Sequence, residues 1–114
     1  MRVRKQDFEQ IVYQKLDALP KQLQEKIDNV AVFVVPDPPA PRILGLYQGV
    51  PFPKRKNPGY SLIMPDKILL FQHPIQAACA TPEQLERLID DVLLHEIGHY
   101  LGLSERQLRD LSRQ

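Results

Sequence analysis

The chain has 114 residues, 43% hydrophobic and 25% charged, with a formal net charge of +1, a balance that predicts one soluble globular domain over residues 1–114. The small charge argues against a nucleic-acid partner or an anionic membrane surface, and the lone Cys79 excludes an internal disulfide. No apolar run reaches the ~20 residues of a membrane span, and the basic N-terminus leads into an amphipathic segment rather than a signal peptide, so no membrane association and a cytoplasmic location are expected.

Asp7 with Gln10 three residues on has the form of a capping box. Phe8, Ile11, Val12, Tyr13, Leu16 and Leu19 follow at helical spacing. Pro20 suits the start of a second short helix over Lys21–Asp28, with Leu23 and Ile27 inward. Val30–Val35 is a continuous apolar run, which predicts a strand buried on both faces. Pro36–Pro41 stops it. Ile43–Gln48 is a second strand candidate, ended by Gly49. A long proline-bearing loop over residues 49–59 carries Lys54-Arg55-Lys56, read as a solvated tip. Tyr60–Met64 is a short strand candidate, Pro65-Asp66 a turn, and Ile68–Phe71 a third strand closed by Gln72-His73-Pro74. Residues 75–80 are ambiguous.

Thr81-Pro82-Glu83-Gln84 then gives an N-cap, a first-turn proline and a capping-box partner. The helix predicted from Pro82 to Leu101 has an apolar stripe of Leu85, Leu88, Ile89, Val92 and Leu93. Carried forward, that stripe passes through Glu96 and His99, with His95 at its edge. A carboxylate and two imidazoles thus stand where leucine is expected, and burying an unpaired carboxylate costs several kcal/mol. His95-Glu96-Ile97-Gly98-His99 is the H-E-x-x-H pattern. Histidines four apart share a helix face and can reach one zinc ion together, while Glu96, about 100° round the helix, stands beside the ion as a proton acceptor for its water.

Two histidines leave zinc short of a third protein ligand. Gly102 can adopt a left-handed conformation, end the helix and turn the chain back, so that Glu105 arrives within reach. Glu105 is the best third ligand, but Ser104-Glu105-Arg106-Gln107 is also a capping box that opens a last helix with Leu108 and Leu111 inward. His73, Asp110 and Asp66 are the rivals. The element order predicts an α+β fold: a small, mostly antiparallel or mixed sheet on an active-site helix, with N-terminal helices and a short C-terminal one.

The run from His95 to Glu105, H-E-x-x-H-x-x-G-x-x-E, resembles the metzincin-type signature with an acid in place of the third histidine. With Asp28–Val35, Leu44–Pro51, Pro65–Phe71 and Leu94–Ser104, the chain resembles the small bacterial zincin-like metallopeptidases of the "minimal metalloprotease" type. Family members usually carry Asp at the last position, where this chain has Glu105. The resemblance implies a minimal zincin fold, zinc held by His95, His99 and the acid at 105, and Glu96 as catalytic base. Peptide hydrolysis by a zinc-activated water follows, on a peptide or protein substrate laid along a sheet edge. Tyr47, Tyr60, Tyr100 and His73 are candidates to stabilise an oxyanion, and the sequence does not choose among them. Two other functions compete: a zinc-dependent endoribonuclease, favoured only by the basic loop around Arg55, and a non-catalytic zinc-binding interaction module, which would show a fourth protein ligand.

Overall fold

The computed structural model describes residues 1–27, 30–49 and 66–112, with no account of the side chains of Leu111 and Ser112. The loop over 50–59 with Lys54-Arg55-Lys56, the strand candidate at 60–64 and Tyr60 lie outside the described residues, as does Leu111's side chain. The second helix, expected over Lys21–Asp28, stops at Lys26, because Ile27 is already extended.

Two N-terminal helices, α1 (Lys5–Asp17) and α2 (Lys21–Lys26), precede strands β1 (Val30–Val35), β2 (Gly45–Gln48) and β3 (Asp66–Phe71). Helices α3 (Gln72–Ala77), α4 (Pro82–Leu101) and α5 (Glu105–Ser112) complete the described elements. The fold is α+β, and its sheet is mixed. β3 lies at the centre, parallel to β1 and antiparallel to β2, in the order β1-β3-β2.

The continuous apolar run of β1 does not make it the buried strand. Only Val34 in it is buried, and Phe33 is 47% exposed. Apolarity alone cannot distinguish a doubly covered strand from one at the border of a sheet. The covered strand is β3, where Asp66, Ile68, Leu70 and Phe71 are buried. Asp66 therefore opens a strand rather than forming a turn, and its carboxylate accepts a hydrogen bond from the Tyr47 hydroxyl at 2.7 Å. β2 starts two residues later than expected, at Gly45. Its pairing still extends one step further, since Phe71 N–H donates to the Leu44 carbonyl at 3.0 Å.

The capping box expected at Asp7 is not made. The helix starts at Lys5, and the Asp7 carboxylate instead accepts from Nε of Arg4 at 2.9 Å. The segment before α1 is tied to α3. The N-terminal ammonium donates to the carbonyls of Gln76 and Cys79 at 2.8 and 2.9 Å, at the negative end of that helix. Gln72, buried, donates to the Val3 carbonyl at 3.0 Å. Residues 72–77, read as a strand end running into an ambiguous stretch, are helical without any side-chain cap at Phe71.

The core forms where α1 and α4 pack on each other and on the sheet. Phe8 and Val12 of α1 meet Leu85, Ile89, Leu93 and Ile97 of α4, with Ile68 and Leu70 of β3 in the same cluster. Each such side chain, fully buried, contributes about 1.5–3 kcal/mol. Among the described residues no helix is long and apolar enough to cross a membrane.

Candidate metal centre

Both ends of α4 are set locally, and this fixes the register of the motif it carries. At the start, the Thr81 hydroxyl accepts from Gln84 N–H at 3.2 Å, Pro82 occupies the first turn, and the Gln84 side chain accepts from Ala80 N–H at 2.8 Å. At the end, Gly102 is left-handed, with φ 68° and ψ 29°. Leu103 N–H donates to the Gly98 carbonyl at 2.9 Å and Gly102 N–H to that of His99 at 3.2 Å, the paired bonds of a Schellman motif. The chain reverses there and enters α5 through a complete capping box. Gln107 N–H donates to Ser104 Oγ at 3.1 Å, and Ser104 N–H donates to Gln107 Oε1 at 2.9 Å.

Within the last two turns of α4, ligand atoms of His95, Glu96 and His99 lie within 4.8 Å of one another. The imidazole rings face each other edge to face, with centroids 4.5 Å apart. Both histidines are exposed and Glu96 is 4% exposed, so the group sits at the border between core and cleft. Nδ1 of His99 lies 3.1 Å from Oε1 of Glu96. An ionised carboxylate can only accept, so the tautomer that satisfies this contact carries its proton on Nδ1 and leaves the Nε2 lone pair for a metal. Glu105 enters from α5 and brings Oε1 to 3.7 Å from Nδ1 of His95.

Two exposed imidazoles on one converging face, with the buried Glu96 carboxylate beside them, supply the histidine part of a zinc donor set; Glu105, exposed and 3.7 Å from His95, stands outside the group of His95, Glu96 and His99. The rivals for a third ligand stand elsewhere. Asp66 is 1% exposed and bonded to Tyr47, His73 contacts Asp37 at 3.0 Å, and Asp110 is an exposed residue of α5 outside the group. Among the oxyanion candidates, Tyr100 is fully buried with its ring edge-on to that of Tyr47, 5.9 Å between centroids. The Tyr47 hydroxyl is engaged by Asp66.

Strand β2 crosses over this end of α4. A Cβ at Gly45 would lie 2.6 Å from Cγ1 of Val92, 3.1 Å from Cγ of Glu96 and 3.3 Å from the Leu69 carbonyl oxygen. Only a glycine lets the strand approach so closely, and that approach covers Glu96. A cleft of about 350 Å³ remains between Arg42–Gly45 on the strand side and Asp91, Val92, His95 and Glu96 on the helix side. A smaller hollow of about 170 Å³ lies on the other side of His95, walled by Glu105, Leu108 and Arg109.

Gly45 and Arg42 belong to the site, and sequence reasoning passed over both. Arg42 has φ 67°, a left-handed conformation that costs a side-chain-bearing residue about 1–2 kcal/mol. Pro41-Arg42 has the pattern of a type II turn with arginine where glycine is usual. Nothing in the composition of that proline-rich stretch marks the arginine as special. A family model described as zincin-like metallopeptidase matches residues 23–114. No curated protein matches the chain at a significant level.

Proposed function

The chain belongs to the zincin-like metallopeptidase family, and from that premise we propose that it is a zinc-dependent peptidase with Glu96 as general base. His95 and His99 would hold the ion. Glu105, which reaches His95 from α5, would complete the set, and its placement after the Gly102 reversal supports that role. Bound zinc supplies an acidified water and a polarised scissile carbonyl.

The chain's own residues do the rest. Glu96 takes the proton and returns it to the leaving amine, a transfer typically worth about 10²- to 10⁴-fold in rate. Its burial under Gly45 keeps the carboxylate out of bulk water and so strengthens its interactions, and its contact with His99 holds it in place. A peptide would lie extended in the cleft beside β2, which among the described residues pairs with β3 on one side only, and would add to that strand through main-chain hydrogen bonds.

The observation that carries this reading is the convergence of His95, Glu96 and His99, of which His95 and Glu96 line the cleft. The test is Glu96→Gln. Zinc content should survive, and hydrolysis of a peptide library should fall at least about 100-fold. Undiminished hydrolysis would remove Glu96 from the chemistry.

A further inference from the structure

Among the described residues, the cleft beside β2 has one cation on its strand wall. Arg42 and Gly45 face Val92, His95 and Glu96 across it. Among the described residues Arg42 makes no hydrogen bond and no ion pair, although Asp91 stands on the opposite wall. Its backbone is held at φ 67°, where glycine would be unstrained. A guanidinium kept at a cost in backbone strain, without a partner among the described residues and turned to the cleft of the metal group, is a site waiting for an anion. Its planar fork of donors matches a carboxylate.

We propose that Arg42 is a specificity-determining residue that takes a carboxylate of the substrate. Arg42 lies three residues before Gly45, and Gly45 abuts Glu96. Even fully extended, the chain covers that interval in at most about 10 Å. The recognised carboxylate therefore sits within about three residues of the scissile bond. It is either an Asp or Glu side chain or the free C-terminus of a short peptide. This assignment rests on the peptidase reading for the identity of the ligand as a peptide, but not for the binding of a carboxylate.

Both can be read separately. Zinc-loaded Glu96→Gln protein is titrated with fluorescent peptides of one neutral sequence carrying Glu, Gln or Lys at successive positions, each as free acid and as C-terminal amide. Peptides with a carboxylate in the right place should bind about tenfold more tightly than their neutral counterparts. That ratio should fall towards one in Arg42→Gly and be retained in part in Arg42→Lys. Melting temperature and zinc content verify that Arg42→Gly is folded, as glycine accepts the same φ. A gain tied to Glu at one position identifies a side chain as the ligand; a gain tied only to the free acid identifies the C-terminus.

Equal binding of charged and neutral peptides overturns the proposal. So does no binding at all, or a preference for lysine, which would make Asp91 the governing charge. Turnover by the unmutated protein separates the two readings. Cleavage without charge preference removes Arg42 alone. Charge-dependent binding without cleavage removes the peptidase reading and leaves the carboxylate site standing.

Discussion

Replacing Gly45 by alanine adds one methyl group where β2 crosses α4. The new carbon would lie 2.6 Å from Cγ1 of Val92 and 3.3 Å from the Leu69 carbonyl oxygen, against an ordinary carbon contact of about 3.5–4.0 Å. Relief requires either a shift of about 1 Å between strand and helix, or rotation of Val92 out of the χ1 rotamer that helices strongly prefer. Overpacking of this kind costs about 1–3 kcal/mol. Alanine stiffens the unfolded chain and returns about 0.4–1 kcal/mol, so the net loss should be about 1–2 kcal/mol. Unfolding entropy of about 2.1 cal/mol/K per residue makes that a fall in melting temperature of about 4–8 °C. Urea denaturation gives the free energy directly. The double variant Gly45→Ala/Val92→Ala should cost less than the sum of its parts by about 0.5 kcal/mol or more, because the second change removes the atom the first collides with. A neutral or stabilising Gly45→Ala, or strictly additive costs, would refute a close strand–helix approach over Glu96.

Two further outcomes follow from the same helix. The carboxyl of Asp90, half-buried on α4, has its pKa raised above its ordinary 3.8, first by desolvation and then by Asp91, with Lys15 opposing. The folded chain thus holds that proton more tightly than the unfolded one. The resulting stability is fully present below pH 3.8 and is lost as pH rises through the raised value. Asp90→Asn should therefore be more stable than the parent at neutral pH, with the gap closing in acid; a gap that widens in acid would contradict this. Gly102→Ala should lose about 1–2 kcal/mol by forcing a Cβ into the left-handed cap, and Gly102→Asn less, measured by the same urea titration. Equal stability of all three proteins would deny the cap its role in turning the chain towards Glu105.

What could be read from residues alone was what local chemistry determines. Thr81, Pro82 and Gln84 announce the start of α4 and Gly102 its end, because caps and left-handed glycines act within a few residues of themselves. Ser104 and Gln107 likewise announce α5. The interruption of the apolar stripe at Glu96 was legible for the same reason, whereas His99, read as lying on that stripe, is exposed.

What could not be read depended on distant partners. Six apolar residues in β1 do not say whether a second layer covers them, and here Phe33 stays exposed. Asp7 has the spacing of a cap, but Arg4 takes its carboxylate. α3 has no capping side chain to signal it and begins directly on the last residue of β3. Arg42 and Gly45 acquire meaning only when the sheet lays them beside α4.

The most direct test is a zinc titration by calorimetry of the metal-free protein and of His95→Ala, His99→Ala and Glu96→Gln. If His95 and His99 converge on one side of the helix in order to hold an ion, the parent and Glu96→Gln bind one zinc per chain, and either histidine variant binds at least about tenfold more weakly. Histidine variants that bind zinc as the parent does, or a parent that binds none, would contradict the account.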